Sequence, residues 1–169
     1  MTESPDSAGR GLHADVLQQL GSAITSRRLA PGTIVTLEDL EATYGASRSV
    51  VREVVRVLES DGLVALRRRV GVVVLPPGNW NLFDSQIIRW RLASTGRLDQ
   101  LRALMEVRVA VEPEAARLAA LRSRRVDAGA LMGLAGRLWV AGEQDDLAEF
   151  LELDIQFHQV VLASSGNDM

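Results

Sequence analysis

The sequence predicts a mainly α-helical protein with a small β-hairpin near its middle. Apolar residues recur every three to four positions over most of the chain, which is the spacing of amphipathic helices. Two runs rich in valine and leucine, at 63–66 and 70–75, flank a short basic segment and favour two strands. The motif Pro76-Pro77-Gly78 then marks a boundary. We therefore expect one domain over residues 10–76 and a second over 77–169.

The first domain is expected to begin with three helices. Residues 1–9 are rich in serine, aspartate and other polar or small residues and are expected to be disordered. A first helix is predicted over residues 11–28. The proline and glycine that follow it, at 31–32, are expected to stop it. Thr36 is placed to cap a short second helix, which ends at the turn Gly45-Ala46. Ser47 is placed to cap the third.

The third predicted helix has an apolar face and a basic face. The apolar positions follow the spacing i, i+3, i+4, i+7 and are Val51, Val54, Val55 and Leu58. Arg48, Arg52 and Arg56 lie four residues apart, so they are neighbours on a different face. A helix anchored by valines and presenting arginines is suited to the DNA major groove. A helical hairpin with a solvated arginine face explains this stretch about equally well.

The predicted hairpin carries three consecutive arginines at its tip, Arg67, Arg68 and Arg69. Such a tip is either a solvated turn or a wing that contacts DNA phosphates or the minor groove, where arginine is favoured. Gly71 allows the backbone to turn or to approach a neighbour closely. With the three preceding helices, the hairpin makes an N-terminal winged helix-turn-helix the better account of the first domain.

The second domain is predicted to be an antiparallel all-α bundle. Apolar spacing indicates helices at 82–94, 98–122, 126–140 and 144–165. Pro113 lies inside the second of these and is expected to kink or divide it.

Two helices of this bundle have polar residues where apolar ones are expected. In the last helix, Asp154 and His158 project into the middle of a stripe predicted to be buried, formed by Leu147, Phe150, Leu151, Val161 and Leu162. In the helix at 98–122, Arg108 projects into the stripe of Leu101, Leu104, Met105, Ala115 and Ala119. Glu112 follows Arg108 by one turn. These inward polar groups favour a ligand pocket.

Three interpretations of the inward polar groups stay open. Asp-x-x-x-His on one helix face can present an oxygen and a nitrogen to one divalent metal. Alternatively, Arg108 forms an internal ion pair with Asp154 or Glu112, and His158 is a hydrogen-bonded core residue. A metal-dependent hydrolase using Asp154 and His158 would need a third ligand and a base, for which the sequence offers no obvious set.

Composition excludes several classes of protein. The chain has no cysteine, so it has no disulfide framework and no thiolate metal site. Its first ten residues lack an apolar segment and no apolar run approaches a membrane span, so a cytoplasmic protein without membrane contact is expected. The formal net charge is -3, and all 19 basic residues are arginine. Residues 1–80 contain nine arginines and nine acidic residues, whereas residues 81–169 contain ten arginines and thirteen acidic residues.

These motifs together resemble the GntR family of bacterial transcription regulators. The resemblance is carried by the run from Gly32 to Gly71, by the segment Trp80–Trp90, and by two helical motifs: Glu106-Val-Arg108 with Glu112-Pro-Glu-Ala-Ala116, and Asp154-Ile-Gln-Phe-His158. It is to the FadR-type branch with an all-helical FCD effector domain, and within it to sugar-acid repressors of the galactonate or gluconate kind.

The resemblance implies roles for residues in the first domain. The recognition-helix positions that contact operator bases and phosphates match Ser47, Arg48, Ser49 and Arg52. Gly71 and the arginines before it match the wing tip. One departure is Glu38, which stands where some members of the branch have an arginine.

The resemblance also implies a metal and an effector in the second domain. Asp154 and His158 match the first two of four metal ligands, usually one aspartate and three histidines, for zinc or nickel. Arg108 matches an arginine that faces the effector's carboxylate. The family's domain continues beyond the position of Met169 to the other two histidines, so an incomplete, truncated effector domain is expected, or one completed by another chain.

The function expected from the resemblance is a homodimeric, ligand-responsive repressor of a carbohydrate or sugar-acid catabolic operon. It would bind double-stranded operator DNA, respond to a small carboxylate effector and catalyse no reaction. The alternatives are the metal-dependent hydrolase and a truncated regulator that acts only through mixed dimers.

Overall fold

The computed structural model describes residues 5–122 and 125–168, which are mainly helical. They form two compact units that divide between Leu101 and Arg102. The elements of the first unit are α1 (Pro5–Thr25), β1 (Ile34–Val35), α2 (Leu37–Tyr44), α3 (Arg48–Ser60), β2 (Val64–Arg67), β3 (Gly71–Val74) and α4 (Ser85–Leu92). Then come α5 (Arg97–Arg122), which crosses the division, α6 (Arg125–Glu143) and α7 (Leu147–Ser164).

Local capping interactions set the bounds of α2 and α3. The Thr36 hydroxyl accepts a hydrogen bond from the Asp39 N–H, and the Asp39 carboxylate accepts one from the Thr36 N–H, each at 3.0 Å. Two hydrogen bonds from Thr36 lower the pKa of Asp39, and the one from its side chain has a larger effect than the one from its backbone. Gly45 ends α2 with a φ of 60°, and Ser47 caps α3 by accepting from the Val50 N–H at 3.5 Å. Both predicted caps are confirmed.

The N-terminal helix is longer than the sequence indicated. It begins at Pro5 instead of residue 11, so the stretch predicted to be disordered is helical from Pro5 onward. Residues 1–4 of that stretch lie outside the described residues. The helix ends at Thr25, before the predicted stop at the Pro31-Gly32 turn.

The hairpin belongs to a three-stranded antiparallel sheet in the order β1-β3-β2. β2 and β3 form the predicted hairpin, in which Arg67 pairs with Gly71. β1 has only two residues and was not predicted, because so short a strand has no periodicity of its own. A side chain at Gly71, where φ is 120°, would lie 2.7 Å from the Val35 carbonyl oxygen. Glycine is therefore required where β1 approaches the hairpin.

The core of the first unit joins α1, α3, α4 and the sheet. Its fully buried members include Leu20, Ile24, Val54, Leu58, Val64, Ile87 and Trp90. The Trp90 indole lies directly against Gly21, where any side chain would overlap the ring. Its Nε1 donates to the Gln18 Oε1 at 2.8 Å. α4 therefore packs within the first unit, although the sequence placed it in the second domain.

The second unit contains a helical hairpin formed by α6 and α7. A connection of three residues joins them, and Asp146 caps α7 by accepting from the Glu149 N–H at 3.0 Å. Buried contacts in this unit come from Ala115 and Ala119 of α5, Ala141 of α6, and Leu153 and Val161 of α7. α5 continues through Pro113, so the expected division there is wrong.

The predicted buried stripes of the second unit are largely wrong. In α7, Leu147 and Leu151 have 78% and 58% of their surface exposed, and Phe150 and Leu162 are also exposed. In α5, Leu101 and Met105 are exposed as well. Spacing shows that a helix has an apolar face, but burial needs a neighbouring element, and the described helices cover only part of these faces.

No helix in the described part of the chain is long and apolar enough to span a membrane.

Candidate functional site

The first unit presents α3 as an anchored helix with an exposed polar face. Val51, Val54, Val55 and Leu58 are each at most 1% exposed, which confirms the predicted apolar face. Arg48, Arg52 and Arg56 are exposed on the outer side. Because the valines fix the helix to the core, the direction in which the arginines project is set by the fold.

The three arginines of α3 differ in their partners. Arg48 Nη1 lies 2.9 Å from Glu38 Oε1 of α2, and Arg56 Nη1 lies 3.0 Å from Glu53 Oε2. Arg52 makes no ion pair or hydrogen bond with another described residue. Arg52 is thus a free cation in the middle of the exposed face, whereas carboxylates already neutralise its two neighbours.

The N-terminus of α3 adds polar groups beside Arg48. Ser47 and Ser49 are exposed, and their hydroxyl oxygens are 2.9 Å apart. A helix N-terminus carries a partial positive charge and free N–H groups, so it favours an anion such as a phosphate. The four recognition-helix residues predicted to contact DNA are therefore all exposed, at the N-cap and in the first two turns of α3.

The hairpin tip is a second free cationic group. Arg67, Arg68 and Arg69 are all exposed and make no ion pair with another described residue. Arg69 has a φ of 63°, so the tip is a tight turn. One residue before the tip, the Leu66 N–H donates to Glu59 Oε1 of α3 at 2.7 Å. This hydrogen bond, which connects the hairpin to the helix, was not predictable from the sequence, since no local pattern pairs a helix residue with a strand edge.

The first unit has a charge arrangement that suits an extended polyanion. Arg52 and the three tip arginines are four positive charges without an ion-pair partner among the described residues, on a helix and a hairpin held together by the core and by Glu59. A fixed helix beside a basic hairpin is the arrangement by which winged helix-turn-helix proteins contact the major groove and the adjacent backbone.

The four polar residues singled out in the second unit form one cluster. Arg108 Nε donates to Glu112 Oε1 at 2.7 Å, and Arg108 Nη2 lies 3.9 Å from Asp154 Oδ2. His158 lies between the same two carboxylates, with Nδ1 3.2 Å from Glu112 Oε1 and Nε2 3.3 Å from Asp154 Oδ1. The arrangement matches the predicted ion-pair interpretation, with Glu112 as the stronger partner of Arg108.

The cluster is less buried than the sequence indicated. The side chains of Asp154 and His158 are 32% and 27% exposed, and that of Arg108 is 40% exposed. The prediction that they lie at the centre of a buried stripe is wrong, because the described helices cover only part of the apolar faces of α5 and α7. The contacts between α5 and α7 nevertheless bring all four residues together.

The side chains in this cluster do not by themselves supply the predicted metal site. Among the described residues, no three histidine, aspartate or glutamate side chains are placed to hold a metal ion. Both nitrogens of His158 face carboxylates already, and the guanidinium of Arg108 would repel a cation at this position. The metal-dependent hydrolase hypothesis lacks its third ligand as well, because no group of three such side chains is placed to hold a metal among the described residues.

A cavity of about 550 Å³ lies elsewhere in the second unit. α5 contributes Ala110, Val111, Glu114, Ala115 and Leu118 to its lining, and the C-terminal end of the chain contributes Leu162, Ala163, Ser165 and Asn167. Arg108, the predicted effector-binding residue, is not part of this lining. The cavity and the polar cluster are therefore separate features.

Comparison with known families gives two matches along the chain. Residues 12–74 match the model of bacterial regulatory proteins of the gntR family. Residues 103–169 match the FCD domain. The two matches fall within the two compact units, and the segment between them contains α4.

Two Escherichia coli proteins are similar over most of the chain. The galactonate operon transcriptional repressor is 34% identical over 149 residues, which are 88% of this chain and 64% of the repressor. The uncharacterized HTH-type transcriptional regulator YieP is 28% identical over 95% of this chain and 70% of that protein. The chain thus spans about two thirds of the length of these relatives.

A solved structure shares the fold. It is that of Lar, described as controlling the expression of the Listeria monocytogenes agr system. The match has a TM-score of 0.54 at 18% identity and covers 99% of this chain and 66% of Lar.

Proposed function

Because this chain belongs to the gntR family of bacterial regulatory proteins, we propose that it is a sequence-specific DNA-binding transcription regulator. The observation that carries the proposal is the exposed face of α3, where Arg52 has no ion-pair partner in the described part of the chain and the basic hairpin is bonded to the same helix through Glu59. The protein would act in the cytoplasm.

In this proposal each element of the first unit has one task. Ser47, Arg48, Ser49 and Arg52 contact bases and phosphates in the major groove, since the first turns of a recognition helix reach base edges. Arg67, Arg68 and Arg69 contact the neighbouring phosphates or the minor groove, and Gly71 allows the tight turn that presents them. A homodimer would place two such units on the half-sites of a palindrome.

The salt dependence of binding tests the role of the hairpin tip. We expect the full chain to shift a duplex selected from a randomised pool, with an affinity that falls steeply as salt rises. Replacing all three tip arginines by alanine should reduce the slope of log affinity against log salt by about 2 to 3, since each lost phosphate contact contributes about 0.9. The selected sequence should stay the same if the tip contacts phosphates, which carry no base information, and should change at the flanking positions if it reads the minor groove.

The matched control removes three arginines from the second unit, Arg102, Arg117 and Arg137. This variant loses the same charge but should keep the wild-type slope. If the tip variant also keeps the wild-type slope, the hairpin does not contact DNA.

We further propose that the protein is a repressor responsive to a sugar acid. The supporting observation is the similarity to the galactonate operon repressor, together with the Arg108 cluster on α5 and α7. A carboxylate effector would take the place of Glu112 or Asp154 beside the Arg108 guanidinium. Zinc or nickel at Asp154 and His158 would need donors beyond the described residues, so no step of this proposal uses a metal.

Thermal unfolding with gluconate and galactonate tests the effector site. A ligand at a hundred times its dissociation constant stabilises the native state by about 2.7 kcal/mol, so we expect the midpoint of unfolding to rise by several degrees. Arg108→Ala should abolish this rise. Arg117→Ala is the control, because Arg117 is also on α5 and pairs with Glu114, at 2.7 Å, and with no other described residue. A rise that persists in Arg108→Ala would remove Arg108 from the site.

A further inference from the structure

The pairing of Arg48 with α2 is not explained by the stability of the fold. Arg48 Nη1 lies 2.9 Å from Glu38 Oε1 and 3.9 Å from Glu41 Oε1. The side chains of Arg48 and Glu38 are 54% and 65% exposed. Ion pairs this exposed contribute little to folding, because water already solvates both charges and side-chain entropy opposes the contact.

Glu41 makes the setting of Arg48 asymmetric. Its side chain is 28% exposed, and Oε1 is buried without a hydrogen-bond partner among the described residues. Arg48 thus lies near two carboxylates, the exposed one of Glu38 at the shorter distance and the more buried one of Glu41 at the longer. Both carboxylates approach the same terminal nitrogen, Nη1, and no described residue forms an ion pair with Nε or Nη2.

An arginine paired in this way behaves differently from a free one in front of DNA. A free guanidinium binds any phosphate, whereas one whose Nη1 lies beside a carboxylate is partly neutralised and its side chain is biased toward α2. The N–H groups that are left unpaired suit the O6 and N7 acceptors of guanine in the major groove. The Glu38 carboxylate also repels phosphates, so it weakens binding that depends on charge alone.

We propose that Glu38 is a specificity-determining residue that positions Arg48. It restrains Arg48 for reading one guanine in each half-site and suppresses binding to DNA of unrelated sequence. This inference rests on the proposed DNA-binding function and adds to it the residue that separates specific from non-specific binding.

The test compares Glu38→Gln with Glu53→Gln in the full chain. Both variants remove one exposed carboxylate that pairs with an α3 arginine, so they change net charge equally. Of the two carboxylates, that of Glu38 pairs with Arg48 at the N-terminus of α3 and that of Glu53 pairs with Arg56. For each variant, a binding site is selected from a randomised duplex pool. Its affinity is then measured against that of a duplex of unrelated sequence, over a range of salt concentrations.

We expect Glu38→Gln to bind the unrelated duplex roughly threefold to tenfold more tightly, with a salt slope steeper by about 0.9 as Arg48 gains a phosphate contact. It should also lose the preference for guanine at one position of each half-site. Glu53→Gln should keep the wild-type base preference. A change in net charge or in helix stability alone would not remove the preference at a single base.

Two negative results have different meanings. If the wild type selects no sequence from the pool, the proposed function fails and this inference fails with it. If the wild type selects a sequence and Glu38→Gln selects the same one, with the same ratio of specific to non-specific affinity as Glu53→Gln, only the role of Glu38 is overturned.

Discussion

Arg52→Ala is expected to weaken binding to the selected duplex by about fivefold to more than a hundredfold, the range for losing one base-reading arginine. The reason is that Arg52 is the uncompensated cation at the centre of the exposed α3 face. Its loss removes a contact without releasing a carboxylate from another ion pair. The measurement is a mobility-shift titration of the full chain at fixed salt, with base preference determined in parallel.

Arg56→Ala is the matched control for this prediction. Arg56 lies one turn further along α3 and already pairs with Glu53 at 3.0 Å, so its replacement should change affinity far less. Arg52 is exposed, so both variants should unfold at nearly the wild-type temperature. If Arg52→Ala, alone and combined with Arg48→Ala, leaves binding unchanged, α3 is not the reading helix.

Features set by neighbouring residues were predictable from the sequence. The apolar face of α3 follows from the spacing of its valines, and both helix caps follow from Thr36 and Ser47 standing before short amphipathic runs. The hairpin follows from two β-prone runs around the arginines. In each of these cases the interacting residues are a few positions apart, so their spacing in the sequence is enough to predict the contact.

Features set by the meeting of distant elements were not predictable. The ion pair between Glu38 and Arg48 depends on the angle between α2 and α3, which spacing within either helix does not give. The exposure of Leu147 and Leu151 depends on which helices cover α7. Glu112 lay one turn from Arg108 in the sequence, yet its contact with His158 needs α5 and α7 to lie side by side.

Trp90→Ala is expected to lower the free energy of unfolding of the first unit by about 3 to 5 kcal/mol, the usual cost of removing a buried tryptophan. Trp90 is 1% exposed and packs against Gly21 of α1, with its indole N–H bonded to Gln18. The variant would leave a cavity where α4 packs on α1, and a Gln18 amide oxygen without its donor. Urea unfolding followed by circular dichroism measures the loss.

Trp139→Ala is the control, because Trp139 is 72% exposed and its removal creates no cavity. We expect its midpoint to stay close to that of the wild type.

Gly21→Ala supplies an independent test of the contact between Trp90 and Gly21, since it adds a single methyl group that would overlap the indole. If the packing is as described, the cavity of Trp90→Ala accommodates this methyl group. Gly21→Ala should then cost less stability in the Trp90→Ala background than in the wild type. Additive losses would instead place the indole away from Gly21, and α4 would then not be held on α1 by this contact.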